Sequence, residues 1–377
     1  MTDQTELTNA TMTQSDTQNT DDRATDLERR SEIVFITDAQ DCNPNGNPKG
    51  ENRPRIDPVT QQCVVTDVRL KRYLRDQLND DKHGVFVKTM GDASSRAALA
   101  LDRLRDVEEI EEPEDLEQLE DIHREFLNQS SDVRYFGATL SFNKDPEDEL
   151  HAAVKTQFEG ANYTGPVQFS PARSLNAVET NEEYDTLTSV IATQEEKSTG
   201  GYGLDDNRIK YGIFPFHGLV DEHGATNTHL SASDVERLDT LCWRALKNQT
   251  ISRSKLGQEP RLYVRVEYDT EGYHLGDLHH GVQLDPDESK PDAELRTVND
   301  AYLDVSDLIE RLGDHAEHIH TVHTVGSDRL QITDGETVLG TAADFPDHLE
   351  SETSLDVHSV DVYEEFGKTL PTNDGTA

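Results

Sequence analysis

The side chains best suited to chemistry in this chain are its cations, which are scarce and unevenly distributed. Between Lys49 and Arg75 the sequence has seven basic residues against three acidic ones, and between Leu241 and Arg265 it has six against one. Arginine dominates both segments, and its planar guanidinium donates paired hydrogen bonds to a phosphate. We therefore predict a surface that binds a phosphate backbone. The competing interpretation is that these cations pair with the chain's own carboxylates.

A loop rich in turn-forming residues directly precedes the first basic segment. Residues 43–48 read Asn-Pro-Asn-Gly-Asn-Pro, which combines prolines that fix φ with a glycine that allows positive φ and asparagines that bond the neighbouring backbone. A protein that holds a nucleic acid regardless of its sequence must contact sugar and phosphate, and backbone N–H groups of such a loop are suitable donors.

Other residues could suggest a metal site or a nucleotide site, but their patterns are incomplete. The histidines cluster at His315, His318, His320 and His323, with His279 and His280 upstream. No HExxH or cysteine motif accompanies them, and the glycines at 200, 201 and 203 lack the context of a phosphate-binding loop. We predict no metal and no cofactor.

The composition indicates where such a protein works. The formal net charge is -41 over 377 residues, and like charges at this density repel each other unless salt screens them. At about 1 M salt the screening length falls to about 3 Å, so we interpret the acidity as halophilic adaptation. Three cysteines without CxxC spacing indicate a reducing compartment. Without a signal peptide or a membrane-length apolar run, we predict a cytoplasmic protein that has no membrane partner.

The elements that must position the cations can be read from apolar periodicity. Residues 31–37 predict a central strand with apolar side chains on both faces, directly before the loop. A helix is predicted from Thr66 or Asp67 to Leu78, with a leucine stripe inside and its cations outside. Further strands are predicted at 133–140, 164–169, 210–216 and 261–268, and further helices at 93–128, 231–246 and 305–312. This order predicts an α+β fold, an antiparallel sheet with helices on one face.

Three segments around the loop carry a family resemblance. Residues 38–48 read Asp-Ala-Gln-Asp-Cys-Asn-Pro-Asn-Gly-Asn-Pro, residues 52–57 read Asn-Arg-Pro-Arg-Ile-Asp, and residues 65–75 read Val-Thr-Asp-Val-Arg-Leu-Lys-Arg-Tyr-Leu-Arg. Together with residues 164–169, 173–175, 211–212 and 251–260, they closely resemble the backbone subunit of type I CRISPR Cascade complexes, subtype I-B, of haloarchaeal type. That family belongs to the RAMP superfamily. The resemblance spans roughly residues 31–363.

The resemblance implies a fold and a domain organisation. It implies an RNA-recognition-motif or ferredoxin-like palm with an inserted helical finger lobe and a thumb hairpin. The expected divisions are a disordered leader at 1–30, a single domain at 31–365 and a frayed tail at 366–377. Within the domain we expect the palm at 31–80, 133–175 and 208–365, the finger at 81–132 and the thumb at 176–207.

The resemblance also implies a function without catalysis. Copies of the chain would stack along crRNA beside other Cascade subunits, and the guide bases would pair with target DNA in antiviral defence. The residues expected to hold the RNA backbone are Asn43, Asn45, Gly46, Asn47, Arg53, Arg55, Arg69, Lys71, Arg72, Arg75, Arg208, Lys210, Arg253 and Lys255.

Two other functions are kept as alternatives. Asp38 and Asp41 follow the first strand, where related RAMP subunits of type III systems carry an aspartate that cleaves RNA, so a metal-dependent endoribonuclease that uses Asp41 is one. A halophilic scaffold without nucleic acid is the other. Tyr263 could stack on a base, although packing is the commoner role for such a tyrosine.

Overall fold

The computed structural model describes residues 27–87, 96–106, 109–140, 148–181, 186–189, 201–204, 207–249 and 255–371. The first 26 residues of the predicted leader lie outside this range, and so do the tail after residue 371, residues 190–200 of the predicted thumb and Arg253.

The strands are numbered in chain order. They are β1 Ser31–Cys42, β2 Gly46–Asn47, β3 Arg53–Pro54, β4 Gln62–Val65, β5 Gly137–Thr139, β6 Asn162–Thr164, β7 Val167–Phe169, β8 Ala172–Ala177, β9 Thr180–Asn181, β10 Thr186–Ser189, β11 Gly201–Leu204, β12 Arg208–Val220, β13 Gln258–Tyr268, β14 Gln283–Leu284, β15 Tyr302–Asp304, β16 Ile319–Gly326, β17 Gln331–Thr333, β18 Val338–Thr341 and β19 Val357–Ser359.

The helices are numbered in the same way. They are α1 Asp67–Asp80, α2 Arg96–Arg105, α3 Pro113–Leu116, α4 Ile122–Asn128, α5 Ser131–Phe136, α6 Glu149–Gln157, α7 Glu222–Thr228, α8 Ala232–Lys247, α9 Ser306–Asp314, α10 Phe345–Glu352 and α11 Val362–Lys368.

A seven-stranded sheet organises the molecule, and β1 lies inside it. The strand order is β19-β16-β13-β1-β12-β7, with β9 also paired to β12. The pairs are antiparallel except for β16 with β19. The first nine residues of β1 are buried, which confirms the predicted central strand. Because β1 ends at Cys42, the loop at 43–48 lies where the central strands of the sheet end.

Both faces of the sheet are covered, so the prediction of helices on one face only is wrong. On one face Phe35 of β1 packs with residues of α1, α5, α8 and α11. On the other, Val34 packs with α9, α10 and residues of a four-stranded sheet in the order β14-β15-β17-β18. The apolar residues of β1 alternate between these faces because successive side chains of a strand point in opposite directions.

The two long helices beside β1 begin where the sequence indicates. Thr66 caps α1 by accepting a hydrogen bond from the backbone N–H of Arg69, and Ser231 and Asp234 form a capping box at the start of α8. Leu70, Leu74 and Leu78 of α1 are buried, as the leucine stripe predicted.

The first part of the strand predicted at 133–140 is helical instead. α5 runs to Phe136 and ends at Gly137, whose φ is 70°, and only the short β5 follows. Val133 and Tyr135 are fully buried, so tertiary packing outweighs the strand preference of their side chains.

A separate apolar cluster forms a helical lobe, defined as the described residues between 86 and 163. Its core includes residues of α2, α3, α4 and α6, and the partly buried Tyr163 of β6 packs against this core. The lobe therefore extends into the 133–175 range that the sequence assigned to the palm. Further along the chain, β10 pairs with β11 in antiparallel register within the predicted thumb.

The ends of the described chain make specific contacts. Arg30 forms ion pairs with Asp221 at 2.6 Å and Glu222 at 2.7 Å. The guanidinium of Arg244 lies 3.8 Å from the ring centroid of Phe366 in α11. The predicted boundaries at residues 30 and 366 therefore extend the leader and the tail too far. No helix within the described residues is long and apolar enough to span a membrane.

Candidate nucleic-acid interface

The loop after β1 is a compact hairpin that lies over the start of α1. Asp41 has a φ of 48°, so the backbone of β1 is irregular just before Cys42, the last residue that pairs with β12. Gly46 and Asn47 of β2 then pair with Pro54 and Arg53 of β3. We call residues 43–55, Arg69 and Lys255 the exit-loop surface.

The hairpin requires glycine at position 46. A Cβ atom there would lie 2.0 Å from Oδ1 of Asn52 and 2.6 Å from its carbonyl oxygen. The strand β2 can approach the Asn52 turn this closely only because Gly46 has no side chain. This is a structural reason for the Asn-Gly-Asn sequence at 45–47.

The asparagines of the hairpin hold it together from inside. Nδ2 of Asn43 donates to the carbonyl of Asn52 at 2.7 Å, and Nδ2 of Asn45 donates to Oγ1 of Thr66 at 3.1 Å. Both residues are buried, whereas Asn47 is partly exposed and its Oδ1 accepts from the backbone N–H of Lys49 at 3.1 Å. Asn43 and Asn45 thus position the loop, and Asn47 with the exposed Lys49 remains on its outer side.

Lys255 joins the hairpin to the sheet. Its Nζ donates to the carbonyl of Asn43, and its side chain is buried. Burial, together with the nearby charge of Arg69, lowers the pKa of the Lys255 ammonium to about 8. Arg69 itself lies 5.6 Å from the ring centroid of Tyr73, whose hydroxyl donates to the carbonyl of Pro44 at 3.1 Å. Two cations therefore lie close together at the start of α1, and neither is neutralised by a carboxylate of the described residues.

Arg55 and Arg173 extend this positive region. Nε of Arg55 is buried and has no hydrogen-bond partner among the described residues, and no described carboxylate lies within ion-pair distance of its guanidinium. The carbonyl of Arg55 accepts from Val64 of β4, and Val64 pairs with Arg173 of β8. Arg173 is 59% exposed and approaches only Asp57, at 3.6 Å, among the described carboxylates. Sequence reasoning did not include Arg173 in the site, because the pairing of β4 with β8 has no local signal.

The cations of α1 are more enclosed than predicted. Lys71 lies 3.7 Å from Asp67 and donates to Gln168 at 2.7 Å, Arg72 pairs with Asp76 at 2.9 Å, and Arg75 pairs with the buried Asp132 at 3.1 Å. The side chains of Lys71 and Arg75 are only 12% and 16% exposed. The prediction that they face outward is wrong, because this side of α1 packs against Phe136.

Three of the six cations in the second basic segment form ion pairs within the chain. Arg244 binds Asp81 at 2.7 Å, Arg261 lies 2.8 Å from Asp38, and Arg265 binds Asp239 at 2.7 Å. Asp38 and Asp239 are buried, and the side chain of Asp81 is 9% exposed. For these three arginines the competing interpretation, pairing with the chain's own carboxylates, is correct.

The remaining predicted contacts surround the hairpin. Arg208 is buried and donates to the carbonyl of Asp41 at 2.7 Å. Lys210 pairs with Glu179 at 2.8 Å and Arg53 pairs with Glu51 at 3.1 Å, both at exposed or partly exposed positions. Exposed pairs of this kind contribute little, so a phosphate can displace the carboxylate at a small free-energy cost. Arg253 is outside the described residues.

The two aspartates considered for catalysis are held by protein groups. Asp38 is 2% exposed and accepts from the hydroxyl of Tyr211 at 2.9 Å. Burial raises the pKa of Asp38, although Arg261 and Tyr211 stabilise its charged form. Oδ1 of Asp41 accepts from Nδ2 of Asn181 at 2.8 Å. Within the described residues, neither aspartate belongs to a group of side chains spaced to hold a metal ion.

Tyr263 is a core residue. It is fully buried and its hydroxyl donates to Asp239 at 2.8 Å, which confirms the packing interpretation. The histidines after residue 314 bond separate partners, such as Asp269 for His320 and Tyr273 for His315, and the described residues show no metal-type grouping of them.

Comparison with known proteins gives consistent relatives. A family model described as CRISPR-associated protein Cas7 matches residues 29–306. A protein of Haloferax volcanii with the same description is 55% identical over 340 residues, which is 89% of this chain and 97% of the relative. Among solved structures, a chain of a "CRISPR RNA-guided surveillance complex, pre-nicking" has a TM-score of 0.49 at 12% identity and covers 90% of this chain and 99% of that one. A chain of a "CRISPR RNA-guided surveillance complex" has a TM-score of 0.40 at 12% identity, with coverages of 85% and 99%.

Proposed function

This chain belongs to the Cas7 family of CRISPR-associated proteins, and we propose that it is the backbone subunit of a type I Cascade complex, of subtype I-B. Copies of it assemble along crRNA next to other Cascade subunits. They bind the sugar-phosphate backbone without regard to sequence, and they present the guide bases for pairing with target DNA in the cytoplasm. The target sequence is then recognised by base pairing with the guide and not by side chains of this protein.

The observation that carries the proposal is the exit-loop surface. In a chain of net charge -41, Arg55 and Arg69 have no ion-pair partner among the described residues, and they lie beside a rigid hairpin at the edge of the sheet. A guanidinium that lacks an internal carboxylate can bind an external phosphate through paired hydrogen bonds. Of the other predicted contacts, Asn47, Arg53 and Lys255 belong to this surface, and Lys210 lies on β12, which pairs with the end of β1. Arg72 and Arg75 contact α1 and the lobe instead.

The sheet topology supports a ferredoxin-like palm. β1, β7, β12 and β13 follow the chain order β-α-β-β-α-β with α1 and α8, and in the sheet they lie in the order β13-β1-β12-β7. Both helices contribute to the same apolar cluster, as in a split β-α-β arrangement. We assign the helical lobe to the finger and the β10–β11 hairpin to the thumb.

The test of the proposal is assembly on a guide. The chain is purified in molar KCl and mixed with crRNA, with RNA of shuffled sequence, or with no RNA. We expect a multimeric, nuclease-resistant ribonucleoprotein with both RNAs, because the contacts are to the backbone. A chain that stays monomeric and leaves both RNAs sensitive to nuclease contradicts the proposal and favours the scaffold alternative. If the protein purified from native cells has an ultraviolet absorbance ratio typical of protein without nucleic acid, that result also contradicts the proposal.

The endoribonuclease alternative makes a different prediction. It requires periodic Mg²⁺-dependent cuts in RNA that is complementary to the guide, and these cuts must disappear in Asp41→Ala. We expect intact complementary RNA with the wild-type complex, since Oδ1 of Asp41 is already bonded to Asn181. Cuts that depend on Asp41 refute the assignment of a non-catalytic subunit.

A further inference from the structure

A group of potential metal ligands lies at the opposite end of β1 from the exit-loop surface. Asp277, His279 and His280 each offer one ligand atom, and these atoms lie within 4.8 Å of one another. Ligands of one metal ion are separated by about 3–4 Å when each bond is about 2.1 Å long, so small side-chain rotations bring these three into range. We call residues 276–281 the histidine loop.

The three side chains are available for a ligand. Nδ1 of His279 is buried and has no hydrogen-bond partner among the described residues. Asp277 precedes the short 3-10 helix Leu278–Gly281, yet its carboxylate does not cap it. Neither this carboxylate nor the His280 ring has a hydrogen bond or ion pair among the described residues. A buried ring nitrogen without a partner is costly, and a metal ion would remove that cost.

The backbone of the histidine loop is fixed from two sides. The buried carboxylate of Glu32 accepts from the N–H groups of Gly276 at 3.0 Å and Leu278 at 3.4 Å. Arg311 of α9 donates to the carbonyls of Gly276 at 2.8 Å and Asp277 at 3.2 Å. Leu278 is fully buried in the core. The ligands are thus held by a preformed loop, which lowers the entropy lost on binding.

The neighbouring His217 contacts Glu32 and is not a member of the ligand group. Nε2 of His217 lies 2.6 Å from Glu32, and its ring stacks on that of His279 at a centroid distance of 5.1 Å. The His279 ring also packs against that of His280, at a centroid distance of 4.1 Å.

We propose that Asp277, His279 and His280 bind one divalent transition-metal ion of the Zn²⁺, Co²⁺ or Ni²⁺ class. Two imidazoles and one carboxylate suit these borderline ions and not Mg²⁺ or Ca²⁺, which prefer oxygen ligands alone. Water completes the coordination. The site lies about 33 Å from the exit-loop surface, since ten residues of β1 separate Glu32 from Cys42 at about 3.3 Å each. Because all three ligands lie in the histidine loop, the ion stabilises the fold of that loop and does not contact the guide.

The test uses the full chain in molar KCl after removal of metals with a chelator. Zn²⁺ is added, unbound ion is removed by gel filtration, and bound metal is measured by mass spectrometry. Co²⁺ absorption bands report whether imidazole enters the coordination sphere. We expect one bound ion per wild-type chain. In the double variant His279→Gln with His280→Gln the amount of bound metal should fall at least tenfold, and Asp277→Asn should bind the ion more weakly than the wild-type chain.

The matched control changes two histidines outside the group. His320→Gln with His358→Gln removes two side chains that are 44% and 51% exposed, and we expect it to keep the metal. Thermal unfolding of the ligand variants in chelator should match that of the wild-type chain, and only wild-type and control midpoints should rise with added Zn²⁺. No retained metal in the wild-type chain, or equal retention in the ligand variants, overturns the proposal. RNA assembly is unaffected in either case, so this result is independent of the proposed function.

Discussion

The exit-loop surface makes a quantitative prediction about salt. Arg55→Gln combined with Arg69→Gln removes two guanidinium groups that have no carboxylate partner among the described residues. Neither change breaks an internal ion pair of the described chain, so we expect the thermal midpoint to change little. The variant should bind RNA more weakly and should also be less sensitive to salt.

The magnitude follows from counterion release. Each phosphate contact to a single strand contributes about 0.7 to the slope of log affinity against log salt, so two lost contacts lower the slope by about 1.4 per bound chain. When KCl is raised about fourfold, the wild-type chain should therefore lose about sevenfold more affinity than the variant.

Fluorescence anisotropy of a labelled single-stranded RNA, titrated at several KCl concentrations, measures both slopes. The control is Arg124→Gln with Arg329→Gln, which removes two exposed cations from α4 and from the segment between β16 and β17. We expect the control to keep the wild-type slope. If the slope falls by the same amount in the control and in the site variant, the net charge alone determines the salt dependence, and the reasoning from unpaired arginines is refuted.

Three further predictions follow, of which the first concerns a buried ion pair of the core and the other two concern the exit-loop surface. Arg265→Met should lower the free energy of unfolding by about 3–5 kcal/mol in denaturant titrations, because it leaves the buried Asp239 without its cationic partner. The double variant Arg265→Met with Asp239→Leu should recover most of this loss. A small effect of the single change would contradict the buried ion pair. Folding lowers the pKa of Lys255 from 10.5 to about 8, so the unfolded chain binds more protons between these values. Stability should therefore rise across this pH range relative to Lys255→Met, by up to about 1.4 kcal/mol per pH unit, and parallel curves would exclude the shift. Gly46→Ala should weaken RNA binding because its Cβ meets Asn52, whereas Gly367→Ala, which has open space around its Cβ, should bind like the wild-type chain.

Local patterns were sufficient for the elements next to the site. The capping residue Thr66, the leucines of α1 and the central strand β1 with apolar side chains on both faces depend on neighbours within a few positions, so the sequence predicts them correctly. The family also follows from short motifs around the hairpin. The cover on the second face did not follow, because β14, β15, β17 and β18 are two to four residues long and too short for a periodic signal.

The cation surface was predicted only in part, for a physical reason. Counting charge along a segment ignores carboxylates that folding brings from elsewhere. Arg244 meets Asp81 and Arg261 meets Asp38 across large sequence separations, so these arginines of the second segment are neutralised although the segment itself contains one acidic residue. Arg55 and Arg69 differ from these arginines only in what the tertiary structure places beside them.

The attachment of the helical lobe has a consequence for how the chain responds to a change in salt concentration. Arg134 and Arg237 both bind Asp234, which is 2% exposed, and Arg75 binds the fully buried Asp132. Dissolved K⁺ and Cl⁻ cannot enter these contacts, whereas they surround the acidic exterior. When the salt concentration falls, the carboxylates on the surface repel one another more strongly, whereas the ion pairs between the lobe and the rest of the chain keep their strength. The lobe should then stay docked until the whole chain unfolds, and desalting should produce one cooperative collapse and no half-open species.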